Sequence, residues 1–103
     1  MSIEYTPEAV VDIDTATEEI IDHIGLSVAA AFQQRLIRTL TDLERMPYSG
    51  SPADPPSTAY PDLRFRPVNR FRARVVYYVP TPTGIRVMRV LHAHQDSGGA
   101  FGD

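Results

Sequence analysis

A chain of 103 residues has room for one hydrophobic core and not for two, so whatever it does is done by a single domain. It has no cysteine, which excludes disulfides, thiolate zinc sites and thiol nucleophiles, and its ten positive charges are all arginine. The net charge of −3 argues against a general nucleic-acid binder, but the charge is divided: residues 1–22 carry seven acids and no arginine, and residues 63–95 carry seven arginines and no acid.

Ser2 to Tyr5 alternates polar and apolar residues and predicts a short strand. A helix follows. Thr6 is its N-cap, Pro7 fits a first helical position that needs no N–H, and Glu8 suits the positive end of the helix dipole. Val10, Ile13, Thr17, Ile20 and Ile24 then recur at helical spacing, widened by Ile21, with acids on the other face. Gly25 is placed as the C-cap.

Ser27 is the expected cap of a second helix, in which Ala29, Phe32, Leu36, Leu40 and Leu43 form the apolar stripe and Pro47 is the stop. The short connection between the helices folds them into an antiparallel hairpin. Residues 47–62 hold five prolines among Ser, Gly, Ala and Asp, which predicts a surface loop without regular structure.

Residues 63–68, 71–79 and 85–94 alternate as strands, turning at Asn69-Arg70 and at Pro80 to Gly84, and make a β-meander. The tail 97–103, with three glycines and one phenylalanine, is expected to be mobile. The domain proper is therefore residues 1–96. The order β-α-α-β-β-β is that of an α+β fold with a helical hairpin on one face of an antiparallel sheet. No apolar run is long enough to span a bilayer and Met1 to Glu4 does not open like a signal peptide, so the expected location is the cytoplasm.

Two helices cover one face of a sheet, yet the long strands are apolar on both. The expectation is that Val76, Tyr78, Met88 and Val90 form an open apolar surface beside Arg64, Arg66, Arg70, Arg72, Arg74, Arg86 and Arg89, fit for an acidic amphipathic partner. A homodimer through the same face is the plainer alternative. Arg89 alternates with Val87 and Leu91, so it is also a candidate for a partly buried structural arginine that would need an acid or carbonyl partner.

The run Leu63-Arg64-Phe65-Arg66-Pro67-Val68-Asn69-Arg70-Phe71, the strand Arg74 to Val79 and the closing Arg89-Val90-Leu91-His92-Ala93-His94-Gln95-Asp96 resemble the C-terminal half of ParE toxins. Tyr5-Thr6-Pro7-Glu8-Ala9 and its acidic helix resemble their N-terminal half. The likeness covers nearly the whole chain through order, spacing and length. It implies the RelE-like fold and a toxin of a type II toxin-antitoxin (plasmid stabilisation) system. It also implies neutralisation, in a hetero-oligomer, by a ParD-like antitoxin that lays an acidic amphipathic C-terminal segment along the toxin, with DNA gyrase as target and no cofactor.

RelE-like relatives are instead ribosome-dependent mRNA endonucleases, and an inactive binding module is a further alternative. For a ribonuclease, His92 and His94, at i and i+2 on a strand, would be acid and base, with Arg86 stabilising the phosphorane. RelE-type enzymes often use lysines for this, and the chain has none. ParE toxins also carry a histidine at the place of His92, so the resemblance gives it a target-binding role equally well. A zinc site built on His92 and His94 has no carboxylate nearby in sequence to complete it.

Overall fold

In the computed structural model, the described residues are 2–93 and Phe101. The elements are β1 (Ser2–Tyr5), α1 (Pro7–His23), α2 (Leu26–Arg45), β2 (Ser51–Pro52), β3 (Arg64–Val68), β4 (Phe71–Thr81) and β5 (Gly84–His92). The strands form one sheet in the order β1-β5-β4-β3-β2. It is antiparallel except at its edge, where β1 runs parallel to β5 after the helical hairpin has carried the chain across.

Thr6 caps α1 by accepting from the Ala9 N–H at 3.0 Å, and its hydroxyl donates at 2.7 Å to the Met88 carbonyl, so the helix start is tied to β5. The buried side of α1 is only part of the expected stripe. Ile20 is buried and Ile13 packs against the core, beside Ala9 and Ala16, while Val10, Val11, Ile21 and Ile24 are exposed. Alanines let the helix lie close to the strands, and this close approach decides the rotation of α1 over the count of apolar atoms.

The two helix ends share one tight connection. The N–H groups of Ile24 and Gly25 both donate to the Ile20 carbonyl, and Gly25, at φ 138°, is the N-cap of α2. Only a residue without Cβ adopts that φ readily. The cap expected of Ser27 is thus not made, since α2 begins at Leu26 with no side-chain cap. The stripe of α2 is as expected: Ala29, Phe32, Leu36, Leu40 and Leu43 are buried, joined by Thr39.

The sheet differs from simple alternation at one place. On β5 a bulge sets Val87 opposite Tyr78 but Arg89 opposite Tyr77, so Met88 is extra. Val87 and Val90, three residues apart, therefore both point at the helices. This overturns the open apolar face: Val76, Tyr78 and Val90 are all in the core under the hairpin, at 0%, 0% and 3% exposure, and Met88 is half-buried.

The second face, which holds Val75, Tyr77 and Leu91, is covered by side chains of the 47–62 loop and by Phe101. Phe101 is buried, with its ring 5.4 Å from Tyr77 and 6.1 Å from Tyr60, and Phe65 lies 5.9 Å from Tyr77. Edge and tilted ring contacts of this kind exclude water from Val75 and Leu91. Within 47–62, Ser51–Pro52 pairs with Phe65 and Arg64 as an edge strand, a place where proline is tolerated, and Ser57 is buried and accepts from the Tyr60 N–H at 3.0 Å. The loop is thus a structured cover. His94, expected at the end of the last strand, and all of the expected mobile tail 97–103 except Phe101 lie outside the described residues.

Candidate functional site

Of the seven arginines in the basic half, five are engaged within the chain. Arg89 donates through Nε at 2.7 Å and a terminal nitrogen at 3.0 Å to Asp12, whose carboxylate also accepts from the Val90 N–H at 3.0 Å. The strand edge explains this arrangement. β1 ends at Tyr5, so the bulged end of β5 has no neighbouring strand, and α1 supplies the acceptor in its place. The Asp12 hydrogen bond holds Arg89 above the ordinary arginine range, against the opposing effect of burial. Arg89 is therefore a structural arginine with an acid partner, removed from the binding set.

Arg74 donates to Glu19 at 2.7 Å, and Arg86 approaches Glu4 at 3.5 Å. Arg64 donates to the carbonyls of Tyr48 (3.1 Å) and Gly50 (2.8 Å) and lies 5.0 Å from the Tyr48 ring centre. Arg66 donates to the carbonyl and hydroxyl of Ser49, both at 3.0 Å. Arg70 and Arg72 are exposed and make no hydrogen bond or ion pair among the described residues.

The hydrogen bond and charge of Arg74, aided by His23 and His92, hold Glu19 below the usual glutamate range, against desolvation. A depressed acid adds stability at neutral pH, and that contribution is lost as pH falls through its folded-state value. In an NMR titration Glu19 is expected to titrate below an unperturbed glutamate and to return toward it in Arg74→Gln. An unchanged midpoint in the variant would show that the ion pair does not form in solution.

The ribonuclease trio is not assembled. His92 pairs across the ladder with Arg74, whereas Arg86 is opposite Val79 and beside β1, six residues along the same strand from His92, roughly 20 Å away. His94 lies outside the described residues. Among those that are described, no three His, Asp or Glu side chains cluster as a metal site would require.

The exposed apolar surface lies on the hairpin instead. Tyr5, Val10, Ile13, Asp14, Gln33, Leu36, Ile37 and Leu40 line a groove of about 300 Å³ between α1 and α2. Val10 is 46% and Ile37 64% exposed, and Leu26 in α2 and Ile24, the C-cap of α1, are 72% and 66% exposed. Sequence reasoning missed this site, although a signal was present: α1 has more large apolar residues than one buried stripe accommodates, and Ile37 falls off the stripe of α2.

A family described as the ParE toxin of type II toxin-antitoxin systems, parDE, matches residues 3–97. Among solved structures, the chromosomal ParDE toxin-antitoxin system of P. aeruginosa is similar, with a TM-score of 0.70 at 18% identity over 89% of this chain and 95% of that one. At such identity the likeness speaks for the fold, and it is the α+β arrangement expected from the sequence. No curated protein matches. With 3–97 matched by the family, over two helices laid on a five-stranded sheet, the chain is a member of the ParE toxin family of type II toxin-antitoxin systems.

Proposed function

We propose that this toxin inhibits DNA gyrase by binding it, in the cytoplasm, without hydrolytic chemistry of its own, and that a ParD-like antitoxin neutralises it in a hetero-oligomer. The observation that carries the antitoxin part is the hairpin groove: half-exposed Tyr5 and Val10 and the largely exposed Ile37 converge where an amphipathic segment can bury its apolar side chains. The gyrase part rests on family membership. The endonuclease alternative is weakened by the separation of Arg86 from His92.

The test has two arms. Charge placed in the groove by Val10→Glu with Ile37→Glu should weaken antitoxin binding by about 100-fold or more, since burying an unpaired carboxylate costs several kcal/mol, while the melting temperature hardly changes because both sites are exposed. Wild-type affinity in that variant would rule the groove out. In the second arm, purified toxin should block gyrase supercoiling and leave mRNA uncut on translating ribosomes. Cut mRNA with unaffected gyrase would replace this reading with the endonuclease.

A further inference from the structure

Arg70 and Arg72 stand two residues apart and face a notch of about 400 Å³ between the β3–β4 turn and α2, walled by Arg66, Asn69, Thr39 and Asp42 together with Pro67 and Val68. The notch is built and held open. Thr39 donates its hydroxyl to the Arg35 carbonyl at 2.8 Å and accepts from the Asn69 N–H at 3.0 Å, which pins the turn to the helix. Ser49 fixes the guanidinium of Arg66 from behind.

Arg70 itself has φ 66°, a left-handed conformation that glycine or asparagine adopts far more readily. An arginine held there spends backbone strain on placing a cation at the rim. Three arginines thus line the notch against one acid, Asp42, which is itself 3.9 Å from Arg38, and by helical spacing Arg35 lies on the same side of α2.

We propose that this notch binds phosphate groups of a nucleic-acid backbone. Guanidinium forks suit phosphate oxygens, and a row of arginines along a turn and a helix suits successive phosphates better than one carboxylate. Asp42 opposes an anion, and its position beside Arg38 offsets that opposition. The net charge of −3 limits the contact to this patch and predicts a modest, salt-sensitive affinity without base preference. The inference does not depend on gyrase inhibition. DNA binding through the notch with gyrase unaffected would keep it and remove the gyrase reading.

The test is fluorescence anisotropy of labelled duplex DNA and of single-stranded RNA with the full chain. Contact by Arg66, Arg70 and Arg72 predicts a slope of log K on log salt of about −2.7 for duplex DNA, an affinity drop of roughly 40-fold between 50 and 200 mM salt. Arg70→Gly suits the turn's backbone and removes only the charge. Combined with Arg72→Gln it should cut the affinity at least tenfold and bring the slope to about −0.9, with an unchanged melting curve. Tighter binding of one polymer, lost in the same variant, would name the source of the phosphates. Absence of binding to either at 50 mM salt, equal binding by the variant, or displacement of both polymers by polyglutamate at matched charge would overturn the proposal.

Discussion

Replacing Asp12 by alanine is expected to destabilise the domain by about 3 kcal/mol and to lower its melting temperature by roughly 15 °C. Three bonds end on this carboxylate, two from Arg89 and one from the Val90 N–H, and its side chain is only 13% exposed. Losing it strands a guanidinium that is 26% exposed and leaves a backbone donor unpaired at a strand edge. The first cost is reduced from the fully buried value because water reaches Arg89; the second adds about 1 to 3 kcal/mol.

Two companion variants separate these contributions. Asp12→Asn keeps an acceptor for Val90 and should lose about half as much. Arg89→Met in the Asp12→Ala background removes the stranded charge and should recover part of the loss. Thermal and urea unfolding measure all three. A loss under 0.5 kcal/mol in Asp12→Ala would mean that the edge of β5 is held by packing alone.

Much of the fold was legible because local chemistry and packing agreed. Thr6-Pro7-Glu8 marks a helix start by capping alone, and every residue of the expected α2 stripe is on its buried face, where only Thr39 was not foreseen. The candidate surface was not legible, for two physical reasons. A bulge at Met88 moves Val90 to the helix side, and a period-two reading has no means of seeing one extra residue. The rotation of α1 was set by Ala9 and Ala16, whose small size matters for close approach and carries little weight in an apolar count.

The arginines teach the same distinction. Their concentration in one half of the sequence reads as a basic face, but charge along a chain does not say where the counter-charges fold. Asp12, Glu4 and Glu19, all from the acidic N-terminal stretch, take three of them. Carbonyls of the 47–50 corner take two more. What is left for a partner is set by this pairing: Arg70 and Arg72 whole, and the N–H groups of Arg66 that Ser49 does not take, at and next to the turn that the sequence did place correctly at Asn69-Arg70.

The larger loss is expected at Tyr78, the largest fully buried side chain of the described residues. Its hydroxyl donates to the Pro47 carbonyl at 2.7 Å and accepts from the buried Gly50 N–H at 2.9 Å, so one phenol closes the corner between α2 and β2. Gly50 has no room for a side chain, since a Cβ there would run into the Tyr78 hydroxyl. Burial raises the phenol above its ordinary range, against the Gly50 N–H and the charges of Arg66 and Arg64, which keeps the proton on the donor throughout neutral pH. Tyr78→Phe preserves the ring and strands both backbone groups, for a loss of about 2 kcal/mol. Tyr78→Ala adds the cavity, for about 5 kcal/mol in all. Because Arg64 and Arg66 are held by the carbonyls of the same corner, Tyr78→Phe should also speed hydrogen exchange at Gly50 before it affects the core. Equal stability of the phenylalanine variant, with unchanged Gly50 exchange, would show that the corner is fixed by Arg64 and Arg66 alone.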